Sequence, residues 1–276
     1  MHGELHEKNR LSWNQATRAH NAHKLDQAAF LRQGGSTLFP EEIELLGRLD
    51  GKSLLHLQCN AGQDSLSLAR LGARVTGVDI SDAAIDFARQ LSQDAGIGAE
   101  FHRQDVYQWL ASSPSFDLVF SSYGALCWLS DLDLWAAGVA RALVPGGRLV
   151  LVEFHPVFMC FEQDWTLRYS YFPTGVLEWE SGVSDYVGPE LAPSGFQECE
   201  PFHNQAPCYE FQWPLGTVLT AIARAGLRLE RLDEYPYANG YRAFERMRDL
   251  GGRRFAPPSE LPDLPLMYGL VASRAG

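Results

Sequence analysis

The sequence predicts an α/β fold in which helices cover both faces of a largely parallel sheet. Between residues 51 and 155, short apolar strand patterns alternate regularly with amphipathic helical patterns, as is typical of such sheets. The alternation returns from Leu215 after an irregular stretch. A chain of 276 residues is long enough to bury a full core, as one large domain or as a domain with a sizeable insertion.

The composition argues against a nucleic-acid partner. Hydrophobic residues make up 46% of the chain and charged residues 21%, which is ordinary for a globular protein. The net charge is -11, and the densest basic cluster, within residues 246–254, is interrupted by apolar residues and an aspartate. Because binding to phosphates needs clustered Lys and Arg, we expect no nucleic-acid partner. The sequence leaves the oligomeric state open.

Cysteine usage and the amino terminus predict a cytoplasmic protein. The five cysteines form no CxxC pair and no metal-type spacing, which indicates a reducing compartment. The opening residues 1–13 lack the apolar core of a signal peptide. No apolar run approaches the roughly 18 to 20 residues that a membrane span requires, so we expect no membrane partner. No other cluster of ligand-type residues completes a site with Glu153 and His155, so we expect no metal.

The amino-terminal residues 1–50 are predicted to form a mostly helical cover. One helix face would carry Trp13 and His20, and a Gly-Gly-Ser-Thr break follows at 34–37. Pro40 then opens a second helix, where its missing N–H carries no penalty.

The next elements predict a nucleoside-binding site. Residues 54–57 form a short apolar strand, and a tight loop follows at 58–62. After a helix, a second strand at 75–78 ends at Asp79. An acidic side chain there can accept hydrogen bonds from both ribose hydroxyls of a nucleoside held over the loop.

Two further strands continue the alternation. Ser81 can cap the intervening helix. A third strand at 99–102 leads to Asp105, and a fourth at 116–120 ends before two serines.

A capping-box-like pair, Ser130 and Asp133, is predicted to open the following helix. A Val-Pro-Gly-Gly turn at 144–147 then leads into a fifth strand at 148–154.

The irregular stretch at 156–213 is rich in Phe, Tyr, Trp, Pro and Gly, a composition that suits an inserted cap. Beyond it, the pattern predicts a helix at 215–225, a strand at 227–232 and a final strand at 264–272.

With these elements in order, the chain resembles the class I S-adenosylmethionine-dependent methyltransferases. The resemblance is clear over residues 50–155 and looser over the last helix and two strands. It rests on the loop after strand one, on Asp79, on Asp105, on the segment 121–128 after strand four, and on the Pro-Gly-Gly turn before strand five.

This resemblance implies a Rossmann-like, doubly wound, seven-stranded sheet whose last strand is antiparallel. It also implies that residues 51–276 form an S-adenosylmethionine-binding methyltransferase domain. Residues 1–50 would be its helical cover, and 156–213 a substrate cap inserted after strand five.

The resemblance assigns the ribose contact to Asp79 and the adenine contacts to Asp105 and Val106. Asp105 could instead simply cap the short helix that follows it. The cofactor-binding residues expected in this way are Trp13, Gln58, Cys59, Asn60, Gly62, Asp79, Ile80, Gln104, Asp105, Val106, Ser121 and Ser122.

The loop departs from the usual family pattern. The family has an acid two residues before the loop and glycines at alternate loop positions, whereas this chain has His56, Gln58 and Asn60, and keeps only Gly62. Its Leu-Gln-Cys sequence resembles that of a subset of bacterial small-molecule methyltransferases. We hypothesise that the Gln58 amide oxygen and loop carbonyls hold the cofactor ammonium, while its carboxylate faces the helix amino terminus. Asn60 would supply a positive φ.

The acceptor site is expected to be aromatic. Tyr123 and Trp128 follow strand four at the edge where such sheets bind ligands, although both could be core residues. His155, directly after strand five, is the predicted base, and Tyr123 is a second catalytic candidate. The expected acceptor-binding residues are His20, Tyr123, Trp128, His155, Tyr171 and Trp213.

These observations predict an enzyme that methylates nitrogen or oxygen of a small, planar or aromatic molecule with S-adenosylmethionine. A Rossmann-type oxidoreductase is disfavoured because the loop lacks GxGxxG. A noncatalytic S-adenosylmethionine-binding protein with the same fold stays open.

Overall fold

The computed structural model describes residues 2–173 and 175–276. The strands of this part of the chain are β1 (Ser53–Leu57), β2 (Arg74–Asp79), β3 (Glu100–Arg103), β4 (Phe116–Ser122), β5 (Leu143–Phe154), β6 (Leu177–Trp179), β7 (Cys208–Glu210), β8 (Leu227–Tyr235), β9 (Ala238–Asn239), β10 (Arg248–Asp249), β11 (Arg254–Ala256) and β12 (Met267–Arg274). The helices are α1 (Gly3–Ala22), α2 (Gln27–Arg32), α3 (Pro40–Leu46), α4 (Gln63–Arg70), α5 (Asp82–Ala95), α6 (Val106–Ser112), α7 (Leu132–Ala142) and α8 (Leu215–Arg224).

The central sheet has seven strands in the order β3-β2-β1-β4-β5-β12-β8. Its first five strands pair in parallel. β12 pairs antiparallel with both β5 and β8. The predicted α/β fold, with seven strands and an antiparallel last strand, is therefore confirmed.

The last strand begins later than the sequence pattern suggested. Its ladder starts at Met267 rather than at residue 264. Pro265 has no N–H to donate, and proline is excluded from strands that pair on both sides. β8 in turn extends to Tyr235, three residues beyond its predicted end.

Of two predicted helix caps, the structure confirms one and contradicts the other. The Ser81 hydroxyl accepts a hydrogen bond from the Ala84 N–H at 3.1 Å, as predicted for the cap of α5. The cap of α7 is Asp131, whose Oδ1 accepts from the Leu134 N–H at 2.8 Å. The prediction of Ser130 was wrong because its hydroxyl instead accepts from the backbone N–H of His2.

The predicted turn at 144–147 lies inside β5. Leu143 already pairs with Phe116, and the register shifts between Phe116 and Leu118 before regular pairing resumes at Arg148. The glycines therefore form an irregular stretch within a longer strand.

Apolar side chains pack on both faces of the sheet. On one face, the fully buried Trp135 of α7 packs among Leu55, Val119 and Leu151. On the other, Leu46 of α3 lies with Phe120 and its neighbours. The two layers confirm a doubly wound arrangement and leave the carboxyl ends of the strands free for a site.

The segment at 156–213 contains little regular structure besides the antiparallel pair β6–β7. Part of the Tyr-, Arg- and Pro-rich loop before β12 forms a small sheet, β10-β11-β9, that the sequence analysis missed. α1 lies against α5 and β7, where the Asn9 side chain exchanges two hydrogen bonds with the Tyr209 backbone, at 2.7 and 2.8 Å. Within the described ranges, no helix has the length and apolarity to cross a bilayer.

Candidate active site

A cavity of about 750 Å³ lies where β1, β2 and β4 end, beneath α1 and the segment at 156–213. Most of the predicted site residues line it. These are Trp13, His20, Gln58, Cys59, Asn60, Asp79, Ile80, Asp105, Val106, Ser122, Tyr123, Trp128, Tyr171 and Trp213.

The loop at 58–62 is held in a left-handed backbone conformation at three positions. Gln58, Asn60 and Gly62 have φ values of 53°, 47° and 79°. The positive φ predicted for Asn60 is confirmed, and its side-chain oxygen accepts from the Ala61 N–H at 2.7 Å. Short polar side chains tolerate this region because they hydrogen-bond locally.

Asp79 joins the end of β2 to this loop. Its Oδ2 accepts from the Asn60 N–H and its Oδ1 from the Ser81 N–H, both at 2.8 Å. Burial raises the pKa of this carboxyl, while the backbone N–H groups oppose the rise. Because each carboxylate oxygen can accept more than one hydrogen bond, Asp79 retains acceptor capacity at the cavity wall.

Asp105 caps α6 and also contacts the cover. Its Oδ1 accepts from the Tyr107 N–H, and His6 Nδ1 lies 2.8 Å from its Oδ2. Burial acts to raise the pKa of Asp105, but the hydrogen bond and charge of His6 lower it overall. The His6 ring is parallel to that of Tyr107, with centroids 5.4 Å apart. Asp105 thus caps α6 and also lines the cavity. The sequence analysis missed His6.

Gln58 presents a buried oxygen that lacks a protein donor. Its Nε2 donates to the Ala125 carbonyl at 2.7 Å, and its Oε1 has no hydrogen-bond partner among the described residues. His56, where the family has an acid, lies 2.8 Å from Ser65 Oγ through its Nδ1. Burial lowers the pKa of His56 to about 4, so its ring is neutral at pH 7.

Lys24 lines the cavity and carried no sequence signal. Within the described ranges, no carboxylate lies within ion-pairing distance of its Nζ. Burial lowers the pKa of Lys24 to about 8, although the more distant charge of Asp64 opposes the change. Asp64 and Gln63 form the first turn of α4, so this cation lies on the side of the cavity where α4 begins.

A chain of aromatic rings lines the other side of the cavity. Trp13 meets Trp128 edge-on at 5.4 Å between centroids and His20 at 6.0 Å. The His20 ring lies 4.4 Å from Tyr186, and Tyr186 lies 5.7 Å from Tyr241. Such a wall suits a planar apolar ligand.

His155 does not line the cavity. Its Nε2 lies 3.0 Å from Glu234 Oε1 of β8, and its Nδ1 accepts from the Val157 N–H at 3.1 Å. The chain turns at Pro156, so the ring caps the following 3₁₀ turn. Burial lowers its pKa, with Glu234 opposing. The structure therefore does not bring His155 into the cavity, where a base or acceptor contact would be needed.

Three predicted cofactor contacts also lie outside the cavity wall: Gly62, Gln104 and Ser121. A Cβ on Gly62 would come within 2.7 Å of the Ala88 Cβ, so this glycine is required by helix packing. The Gln104 N–H donates to the Asp79 carbonyl at 2.9 Å, and Ser121 is fully buried within β4.

Tyr123 lines the cavity, but its hydroxyl accepts a hydrogen bond from Asn239 Nδ2 at 3.0 Å. Burial, with Glu42 nearby, raises its pKa well above the usual value. The phenol is therefore neutral at pH 7 and a weak base.

Two glutamates line the cavity that the sequence analysis did not assign to the site, Glu153 having been considered only as a metal ligand. Glu153 accepts from the backbone N–H groups of Gly124, Ala125, Leu126 and Phe154, so it shapes the loop after β4. An acid inside the apolar β5 pattern was its sequence signal. Glu210 of β7 also lines the cavity, and the irregular segment before it gave no pattern from which to find it.

No group of three or more His, Cys, Asp or Glu side chains in the described ranges could hold a metal ion. Burial, and then the charge of Asp79, raise the pKa of the Cys59 thiol well above its usual value. Cys59 is therefore not an activated nucleophile.

Comparison with known proteins shows what the central part of the chain is similar to. Residues 54–147 match the family model described as a methyltransferase domain. Two solved structures share the fold. The chain is 22% identical to an S-adenosylmethionine dependent methyltransferase from Mesorhizobium loti, with 88% of this chain and 100% of that chain covered and a TM-score of 0.60. It is 18% identical to one from Methanosarcina mazei, with 86% and 98% covered and a TM-score of 0.54.

Curated relatives are named ubiquinone biosynthesis O-methyltransferases. The protein from Methylobacterium sp. is 27% identical over 162 residues, which cover 57% of this chain and 61% of the relative. That from Xanthomonas euvesicatoria is 35% identical over 104 residues, which cover 37% and 43%. The chain thus spans less than two thirds of the length of these relatives.

Proposed function

We propose that the chain binds S-adenosylmethionine and methylates a small molecule, because residues 54–147 match the methyltransferase domain model and the sheet shares the fold of a solved S-adenosylmethionine-dependent methyltransferase. The observation that carries the proposal is Asp79, which ends β2 and is tied by hydrogen bonds to the left-handed loop. A carboxylate that could accept hydrogen bonds from both ribose hydroxyls therefore lies beside a tight backbone turn.

The nucleoside end of the cofactor would lie over this loop. Asp79 would accept from the ribose hydroxyls, with Ile80 beside the sugar. Asp105 and Val106 would flank the adenine, with His6 holding the Asp105 carboxylate in place. The bound cofactor supplies an activated methyl group on a sulfonium.

The amino-acid end fits two polar groups of the cavity wall, the Gln58 amide oxygen and the Lys24 ammonium. The ammonium would donate to Gln58 Oε1 and to loop carbonyls, since His56 is neutral. The carboxylate would face the first turn of α4, where unpaired backbone N–H groups favour an anion, with Lys24 beside it. A buried acceptor and a half-buried cation thereby both gain partners.

The acceptor would lie against the aromatic rings, which favour a planar molecule. We propose oxygen as the methylated atom, because the curated relatives are O-methyltransferases by name. Residues 1–50 would cover the domain formed by 51–276, and the cap at 156–213 would set the acceptor. The five free thiols support a cytoplasmic location.

The oxidoreductase alternative is poorly supported, because the crowded loop at 58–62 offers one glycine where a dinucleotide site needs three. A noncatalytic binding protein would use the same cofactor residues, so only a transfer assay separates it from the enzyme.

Calorimetric titration tests the cofactor proposal. S-adenosylmethionine and S-adenosylhomocysteine should bind at micromolar affinity, and NAD should not. Asp79→Ala should weaken binding by about 1 to 3 kcal/mol through lost hydrogen bonds to ribose. Asp86→Ala, an exposed acid on α5, is the matched control and should bind normally. A folded protein that binds neither sulfur compound would refute the proposal.

A further inference from the structure

One carboxylate faces the cavity from the cap. Glu210 lies at the end of β7, and its Oε2 accepts from the Trp179 indole N–H of β6 at 3.0 Å. Among residues 2–173 and 175–276, no donor lies within hydrogen-bond distance of its Oε1. One oxygen is therefore fixed by the protein, and the other is free to meet a ligand.

The other carboxylates that line the cavity are committed elsewhere. Glu153 accepts four backbone N–H bonds, and Asp79 and Asp105 are tied to the loop and to α6. Asp64 accepts a hydrogen bond from the Thr37 hydroxyl. None of these four is as available to take a proton as Glu210.

The surroundings of Glu210 favour a basic carboxylate. Its titratable neighbours are Cys127, Cys208 and Tyr241, and all three feel its charge. No cation is among them. Burial raises the pKa of Glu210, and only the Trp179 hydrogen bond opposes the rise. A carboxylate whose pKa moves toward neutrality is a more effective general base.

The same neighbours place Glu210 on the aromatic side of the cavity. Tyr241 belongs to the ring chain described above, and Cys127 precedes Trp128 in the loop after β4. A planar acceptor held by these rings would present its edge substituents to the cap.

We propose that Glu210 is the general base of the reaction and that the acceptor is a hydroxylated aromatic ring whose phenolic O–H donates to Glu210 Oε1. This inference rests on the proposed function and specifies its acceptor. As the acceptor oxygen forms its bond to the methyl carbon, the O–H electron pair stays on oxygen, the C–S pair stays with sulfur, and the proton passes to Glu210. The products are a neutral methyl ether, neutral S-adenosylhomocysteine and a protonated carboxyl that returns its proton to water.

Trp179 is a positioning residue in this arrangement. Its indole N–H holds Oε2, so the carboxylate plane and the free Oε1 are fixed before the acceptor arrives. Trp179→Phe keeps the ring and removes this hydrogen bond. Its kcat should fall by about tenfold at pH 7 with little change in KM.

The experiment uses the full chain and catechol as the probe. In the wild-type protein, methyl transfer to catechol should be measurable as S-adenosylhomocysteine release. Glu210→Gln should lower kcat by about 100-fold or more, the usual contribution of a general base, and should remove the acid limb of the pH–kcat profile. Glu178→Gln, an exposed glutamate on the adjacent strand β6, should leave both unchanged.

Binding provides a readout that does not depend on turnover. Catechol should bind Glu210→Gln saturated with S-adenosylhomocysteine about tenfold more weakly than the wild-type complex, because a charge-assisted hydrogen bond is lost. 1,2-Dimethoxybenzene, which has no hydroxyl to donate, should bind both proteins equally. An unchanged affinity for S-adenosylmethionine would show that the variant is folded.

The outcomes separate the two proposals. If neither protein binds S-adenosylmethionine, the proposed function fails. If the cofactor binds but catechol is neither bound nor methylated, or Glu210→Gln turns over at the wild-type rate, the assignment of Glu210 is overturned and the cofactor site stands.

Discussion

Lys24 illustrates how a residue's environment, more than its type, determines its chemistry. A buried ammonium without a partner loses hydration, and burial accordingly lowers the pKa of Lys24 to about 8. The lowered value means that the charge is present below pH 8 and is lost as pH rises through that value. An anionic ligand would restore the charge by supplying the missing partner.

Cofactor affinity should therefore depend on pH through Lys24. In calorimetry between pH 7 and 9, the wild-type protein should lose affinity for S-adenosylmethionine as Lys24 becomes neutral. Lys24→Met should bind about tenfold more weakly at pH 7 and show a shallower pH dependence. The cofactor's own amine titrates at about 7.7 to 8.0, so the contribution of Lys24 is the difference in pH dependence between the two proteins. The charged and titratable neighbours of Lys24 are Asp64, His20 and His23.

Lys52→Met, at a half-exposed position before β1, is the control and should follow the wild-type curve. Parallel curves for wild type and Lys24→Met would contradict the role of Lys24.

Single residues were predictable where position in an element determines the direction of the side chain. Asp79 ends a parallel strand beside a tight loop, so its place at the cavity followed from the pattern. His155 was not predictable in this way, because the turn at Pro156 makes it a cap and directs its Nε2 to Glu234. Glu210 and Lys24 lie in irregular segments whose paths depend on tertiary contacts.

At the scale of elements, the loop between β1 and α4 combines strained backbone with close packing. Gly62 starts α4 at a φ of 79°, and a Cβ there would meet both Ala88 and the Phe101 ring. Gly96, at the end of α5, has a similar φ of 66° but open space around it. Alanine substitutions at the two glycines therefore separate the free-energy cost of a left-handed backbone from the free-energy cost of overpacking.

Gly62→Ala should lower the free energy of unfolding by about 2 to 4 kcal/mol, the sum of a left-handed penalty and an overpacking penalty. Gly96→Ala should cost only the first, about 1 kcal/mol. Urea denaturation of the two variants and the wild type measures both values. Equal losses would show that α5 and β3 move aside for the added methyl group.

Elements with clear periodicity were predicted well, and short ones were not. The strands of the central sheet and helices α4 to α8 followed from apolar spacing and turn residues. The cap of α7 was misplaced by one residue because Ser130 and Asp131 are both good caps. Strands β9 to β11 have two or three residues each, too few for a period to be seen.

At the scale of the whole molecule, the cover and the cap hold each other across the cavity. His23 Nε2 lies 2.8 Å from Asp185 Oδ2, and Asn204 Nδ2 donates to the Ser12 carbonyl at 3.0 Å. Burial acts to lower the pKa of His23, but the hydrogen bond and charge of Asp185 raise it overall. A raised histidine pKa stabilises the fold below about pH 6.5, and this contribution is lost as pH rises through the folded value.

Asp185→Asn should therefore lower the Tm more at pH 6 than at pH 8. Differential scanning calorimetry at the two pH values measures the difference. The other charged or titratable groups near His23 are His20 and Lys24. Glu180→Gln, which removes an exposed carboxylate from the same cap, should lower the Tm equally at both values. A pH-independent loss in Asp185→Asn would exclude the ion pair as the cause.

The proposed cofactor and acceptor sites draw many of their residues from different parts of the chain, and this has a consequence for how such proteins diversify. Residues 56–129 contain the loop, Asp79, Asp105 and the turn after β4. Glu210, Tyr186 and Tyr241 lie far from that stretch in the sequence and meet it only at the cavity. Under the proposed function, substitutions in the cap would therefore alter which acceptor is recognised without disturbing the sheet on which the cofactor would rest. A library that randomises the cap alone is the natural starting point for redirecting this scaffold to new acceptors.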